Sequence, residues 1–220
     1  MFFHRHPYEP FLFPEVEKVI IGTLPPPRFT KGQLHSEDVD FCYGSRNGML
    51  WPILNQIFDL DLKYETTKAA VEQRQHFLKE HRIGVCDIVA SAEREKVDAS
   101  DLGMQNVKLR DIIGYLMEYK NVNTLLFMGG NSKNGPEYFF RKHLKTYSVQ
   151  LEMVSAEVPR VHQFIVPGSD RSVKTISFTA PSGAANRAIG SLSIYKDRKK
   201  RNPAYTTFDF RVDQYRPFFL

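Results

Sequence analysis

Cysteine is nearly missing from this chain: Cys42 and Cys86 are its only two. Two thiols cannot build a disulfide framework or supply the four ligands of an iron–sulfur cluster. Both stand in apolar runs, so buried, reduced thiols in a cytoplasmic protein are expected. Long apolar runs are also missing. No stretch approaches the roughly eighteen residues that a membrane span needs, so no membrane partner is expected. The start, Met1-Phe2-Phe3-His4-Arg5-His6-Pro7, has no apolar core ending in small residues, so no secretion signal is expected. There is no internal repeat. No dinucleotide fingerprint follows any apolar run, and no Gly-x-Ser-x-Gly elbow occurs, which argues against an ordinary serine hydrolase. Gly130 and Gly135 have the spacing of a phosphate loop, but Pro136-Glu137 stands where Lys-Ser/Thr should follow. His4 and His6 alternate without a third ligand nearby, so neither a metal nor a cofactor is expected.

What is present is ample core material. The 220 residues are 42% hydrophobic and 13% aromatic, enough for one globular domain. We expect a single domain over 1–220, with an extended arm at 1–16 and a tail at 200–220 packed back on it. The tail alternates apolar residues (Phe208, Phe210, Val212). The net charge of +5 permits a polyanionic partner without requiring one. The densest basic run is Lys196 to Arg201.

The apolar pattern alternates between two kinds of element. Continuous runs at 18–23, 83–90, 123–130 and 174–179 read as buried strands. Helical spacing marks 48–58, 64–81, 108–120, 136–146 and 184–199. Residues 147–172 hold one strand and a long loop. Alternating strands and helices predict an α/β fold: a three-layer α/β/α sandwich around a central, mainly parallel sheet of four or five strands. In such sheets ligands sit outside the carboxyl ends of the strands. That directs attention to the post-strand loops at Gly22, Asp87, Gly130 and Ala180.

Three of these loops have useful chemistry. Asp87 ends a buried strand, where a carboxylate must be partnered or perturbed. Pro181-Ser182-Gly183 forms a tight turn whose backbone can approach a ligand, and Arg187 follows it. "GTLPP" at 22–26 stops the first strand with prolines. A fourth segment, "FCYGSRNGMLWPIL" at 41–54, joins a polar knot to an apolar helix and carries the only tryptophan, Trp51.

In order, "GTLPP", "YGSRNGMLW", "GVCDIVASAERE", a strand ending in Gly-Gly, and "APSGAANR" resemble the uracil-DNA glycosylase superfamily. The likeness is greatest to the branch of hypoxanthine-DNA glycosylases, and the Pro-Ser-Gly…Arg loop is similar to that of mismatch-specific uracil glycosylases. It spans about residues 17 to 190. It implies a monomeric, cofactor-free enzyme that flips a deaminated base, uracil or hypoxanthine, out of DNA and hydrolyses its glycosidic bond. It places Gly22, Thr23, Leu24, Pro25, Phe41, Tyr43 and Asp87 around the base, Phe41 or Tyr43 stacking on it. It places Pro181, Ser182, Gly183, Asn186 and Arg187 against the DNA backbone. Many members hold the attacking water with an Asp, Asn or Glu in the first loop, and this chain has no carboxylate or amide there. Asn47 takes that role, with Asp40 as the fallback. Counted back from Trp51, Asn47 stands one residue before the family's asparagine, a position Gly48 fills here. Two further readings remain: a nucleic-acid-binding member with weak or no activity, and a small-molecule enzyme on the same scaffold.

Overall fold

The computed structural model describes all 220 residues. Its strands are β1 (Phe2–Arg5), β2 (Lys18–Ile21), β3 (Ile83–Val85), β4 (Val89–Arg94), β5 (Met104–Leu109), β6 (Thr124–Phe127), β7 (Glu152–Ser155), β8 (Arg160–Ile165) and β9 (Ser172–Ser177). Its helices are α1 (Pro27–Thr30), α2 (Leu50–Phe58), α3 (Lys68–Glu80), α4 (Ile112–Glu118), α5 (Pro136–Lys145), α6 (Asn186–Ser191), α7 (Ser193–Arg201) and α8 (Thr207–Phe219).

The expected α/β sandwich is present. The central sheet has the order β3-β2-β6-β9-β8-β7. The first four strands run parallel; β8 and β7 pair antiparallel at one side. The continuous apolar strands explain the layering. Ile20 of β2 and Leu126 of β6 enter one core, while Val19, Ile21, Leu125 and Phe127 enter the other. Strands buried on both faces need cover on both faces. One face is covered by α2, α3 and α8, through Trp51, Phe77, Tyr215 and neighbours. The other is covered by α4 and α5, through Ile113, Leu116, Phe139 and Phe140.

Several expectations need correction. The central sheet has six strands rather than four or five, because 147–172 holds β7 and β8 instead of one strand and a loop. β7 is an almost wholly exposed edge strand, so no apolar alternation betrays it. The run 83–90 is two strands. The chain leaves β3 at Cys86-Asp87-Ile88, still hydrogen-bonded to the end of β2, and enters a second sheet at Val89. That sheet, β1-β4-β5, ties down the N-terminal arm: β1 pairs antiparallel with β4 from Phe2↔Arg94 to Arg5↔Ser91. The helix expected at 108–120 begins at Ile112, with Asp111 accepting from the Gly114 amide as its cap. The helix expected at 184–199 is two helices, because Leu192 is extended between them. The alternating tail is helix α8. A capping box between Thr206 and Asp209 starts it, and Val212, Tyr215 and Phe219 bury one face of it.

Candidate active site

A cavity of about 410 Å3 opens outside the carboxyl ends of the parallel strands. Gly22 follows β2, Asp87 follows β3, Met128 follows β6, and Ala180 closes the loop after β9. This is where an open parallel sheet leaves room for a ligand. The size falls in the usual range for a small-molecule site.

Asp87 forms the floor. It is 6% exposed. Its Oδ1 accepts from the Gly22 amide at 2.7 Å and from the Tyr43 hydroxyl at 2.6 Å. Its Oδ2 lies 3.0 Å from His6 Nε2, so a proton on that nitrogen makes His6 the third donor. Burial, with Asp87 alongside, holds the Tyr43 phenol well above its usual range, so it stays protonated and donates. Gly22 is required by contact. A Cβ there would lie 2.3 Å from Tyr43 Oη and 2.9 Å from Asp87 Oδ1.

The polar knot at 43–48 is built around Asp38, which is fully buried. Asp38 accepts from Arg28 Nε and Nη2 (both 2.7 Å) and from the amides of His35 (2.9 Å) and Arg46 (2.8 Å). Burial alone would raise its pKa. The Arg28 guanidinium and the two amides outweigh that and hold it well below the usual carboxylate range. Arg28 also donates to Ser45 Oγ at 2.8 Å and lines the cavity. The Cys42 carbonyl accepts from Trp51 Nε1 at 2.9 Å, which fixes the knot to α2. Gly44 closes the loop, since a Cβ there would lie 1.9 Å from the Val39 carbonyl oxygen. Tyr43 itself has φ +59°, a left-handed backbone uncommon for a residue with a side chain.

The structure brings most of the expected site residues together. Gly22, Thr23, Leu24, Pro25, Tyr43, Asn47, Asp87, Pro181, Ser182 and Gly183 all line the cavity. Asn47 sits at its mouth, exposed, with no protein partner for its side-chain amide. Other residues lie elsewhere. Phe41 is buried in the core against Phe11 and Trp51, because the knot turns its ring inward. Asp40 is exposed and accepts from the Tyr8 hydroxyl at 2.8 Å, outside the cavity lining. Asn186 accepts from Thr207 Oγ1 at 3.1 Å, and Arg187 is exposed beyond the rim.

The rim loop is held from an unexpected direction. Arg211 of α8 is fully buried and donates to the carbonyls of Ala180 (3.0 Å) and Ser182 (2.7 Å). The Met49 amide donates to the Pro181 carbonyl at 2.9 Å, joining this loop to the knot. The tail therefore positions the site. Arg211→Met is expected to lower stability by about 2–3 kcal/mol in denaturant unfolding. It should also speed amide exchange at 182–185. Unchanged exchange there would contradict the anchoring role.

Reading the sequence missed five residues: His6, Arg28, Asp38, Asp101 and Arg211. His6 stands one residue past the end of β1, two residues after His4, and its Nε2 lies against Asp87. Asp101 enters the cavity from the loop between β4 and β5. Its Oδ1 accepts from Thr23 Oγ1 at 2.7 Å. Burial raises its carboxyl to about 6, against the opposing Thr23 hydrogen bond and Arg94 charge. The chain offered no local signal for it, since a Ser-Asp pair in a polar loop is commonplace.

No protein-family model matches the sequence, and no curated protein matches it. Among solved structures, the chain is similar to the solution NMR structure of a candidate uracil DNA glycosylase from Methanosarcina acetivorans. The two share 17% sequence identity and a TM-score of 0.53, over 96% of this chain and 99% of that one. The chain thus has that protein's mixed α/β fold. No helix is long and apolar enough to cross a membrane.

Proposed function

We propose that this protein is a DNA glycosylase that hydrolyses the glycosidic bond of a flipped, deaminated base, uracil or hypoxanthine. One observation carries the reading. Tyr43, Asn47 and Asp87 line a single cavity at the carboxyl ends of the parallel strands, with Pro181-Ser182-Gly183 at its rim. The fold shared with the Methanosarcina protein supports it.

The chemistry fits the parts. Two donors engage Asp87 Oδ1, and Oδ2 lies against His6 Nε2, which donates when that nitrogen carries the proton. One lone pair of Oδ2 is left to accept the N3–H of uracil or the N1–H of hypoxanthine. The ring of Tyr43 stacks against the base. The rim loop enters the gap that the flipped nucleotide leaves in the duplex. Asn47 orients the water that attacks C1′. Departure of the base leaves an oxocarbenium-like sugar, as in glycoside cleavage.

The DNA backbone follows α7 beyond the rim. This helix buries no residue. Arg198 is tied to Asp213 and Tyr205, and Lys199 to the carbonyls of Pro203 and Tyr205. Lys196, Lys200 and Arg201 are exposed, with no acidic partner. Replacing these three with alanine is expected to weaken DNA binding at all sequences. It should also make the slope of log affinity against log salt shallower by about 2–3. An unchanged slope would remove α7 from the interface.

The reading is tested with oligonucleotides carrying one uracil, hypoxanthine or xanthine, treated with alkali after incubation and resolved on a gel. Strand breakage at the modified position is expected. No breakage with folded protein in excess would sink the enzyme reading. It would favour the second one, a nucleic-acid-binding relative without base release, for which the exposed Asn47 side chain is the motivating observation.

A further inference from the structure

An amide such as Asn47 can hold a water but cannot take its proton. A group that can is needed near the water, and the cavity narrows the choice. Asp87 is engaged by the Gly22 amide, Tyr43 and His6, and in the proposed function its remaining lone pair is taken by the base. The Tyr43 phenol donates to Asp87. Arg28 is locked on Asp38. Asp101 remains. Thr23 occupies its Oδ1, and no protein group donates to its Oδ2.

Asp101 is also held in place. Asn134, itself buried, donates through Nδ2 to the carbonyls of Asp101 (2.9 Å) and Met104 (3.0 Å). Behind the loop, Arg94 is 1% exposed and donates to the Ser100 carbonyl; its Nε donates to His4 Nδ1 at 2.8 Å. The short helical turn Asp101–Gly103 thus rests on three supports: the loop after β2 through Thr23, β4 through Arg94, and the loop before α5 through Asn134. A carboxylate this constrained, lining the cavity with one oxygen to which no protein group donates, has the features of a general base.

We propose that Asp101 is a catalytic residue, the general base that accepts the proton of the attacking water. The assignment rests on the glycosylase reading above. The water oxygen bonds to C1′ as the C1′–N bond breaks. The bonding pair leaves with the base, and the water proton passes to Asp101 Oδ2. Asp101 then returns that proton to solvent or to the departed base anion.

The group also has a suitable acidity, with its carboxyl raised to about 6 by burial. Base release should rise with pH up to about 6 and then level off, because only the ionised form accepts a proton. The charged and titratable groups facing it are Arg94 from β4, Asp98 from its own loop, and Asp87, Tyr43 and Arg28 across the cavity. His4 stands behind Arg94 and His6 behind Asp87.

The test is single-turnover base release between pH 5 and 8 by the full chain and by Asp101→Asn. The substrate is an oligonucleotide carrying uracil or hypoxanthine, whichever the wild type releases. The variant keeps an oxygen for Thr23. Its rate is expected to fall about 10²–10³-fold, with the acid limb gone. Its affinity for the same oligonucleotide bearing a 2′-fluoro sugar, which resists cleavage, should stay within about threefold. A variant rate within about threefold of wild type, or a limb that persists, overturns the role of Asp101 and leaves the glycosylase reading intact. No release by the wild type overturns both. If Asp101→Asn does not fold, Thr23→Val decides. Losing that donor should move the limb to higher pH, and an unmoved limb overturns the proposal.

Discussion

Asp87→Ala is expected to lower base release about 10³-fold. In the proposed function the carboxylate does two things at once: it fixes Tyr43 and the Gly22 amide, and it reads the edge of the base. Removing one well-placed hydrogen-bonding group at a reaction centre costs about 10²–10³ in rate. Here the floor of the cavity is lost with it. The amide of Gly22 and the hydroxyl of Tyr43 would lose their acceptor, at 2.7 and 2.6 Å. Buried donors left unpaired cost about 1–3 kcal/mol each, so the melting temperature should also fall. Asp87→Asn separates the two effects. Its amide oxygen can still accept from Gly22 and Tyr43, so stability should be nearly kept while base release falls by about tenfold or more. Single-turnover rates with thermal melts of both variants check this. A wild-type rate in Asp87→Ala would remove Asp87 from the chemistry.

The second large effect is on stability. Asp38→Ala is expected to destabilise the protein by about 3–5 kcal/mol, because it leaves Arg28 without its partner and two amides unpaired. All four of the carboxylate's accepting positions are filled in the native state. The sign of the pH dependence follows from its depressed pKa. The native state favours the ionised form, so the stabilisation is fully present above the unfolded value of about 4 and fades as pH falls below it. Denaturant unfolding from pH 7 down to pH 2 should show the difference between wild type and variant begin to shrink below about pH 4. A constant difference between the two would contradict this account. Trp51, pinned to Cys42 at the edge of the same knot, supplies the fluorescence signal.

The parallel strands were legible in the sequence because they are buried on both faces. Runs such as Lys18–Ile21 and Thr124–Phe127 have nowhere else to go. The elements that escaped reading lie where burial is one-sided or absent. β5 and β7 are polar strands with few buried residues. In α8 the residues 208, 210 and 212 alternate by chance at its start, and the capping box at Thr206 was the better signal. The site divides in the same way. Gly22, Tyr43, Asp87 and Ser182 stand next to strand ends or turns, where local sequence shows them. Arg211 and Asp101 reach the site through partners far along the chain, Ser182 and Thr23, and only the folded arrangement joins them. Asn47 is exposed at the mouth of the cavity, which makes the carboxylate at Asp101 the more informative residue to alter.

The most direct test of the account is to follow the atoms. Oligonucleotides bearing uracil or hypoxanthine would be incubated with the protein in oxygen-18 water, and the products identified by mass spectrometry. The account predicts free base, together with an abasic strand that carries one solvent oxygen at C1′. Intact oligonucleotide after prolonged incubation with excess folded protein, or release of the base as a nucleoside or nucleotide, would contradict it.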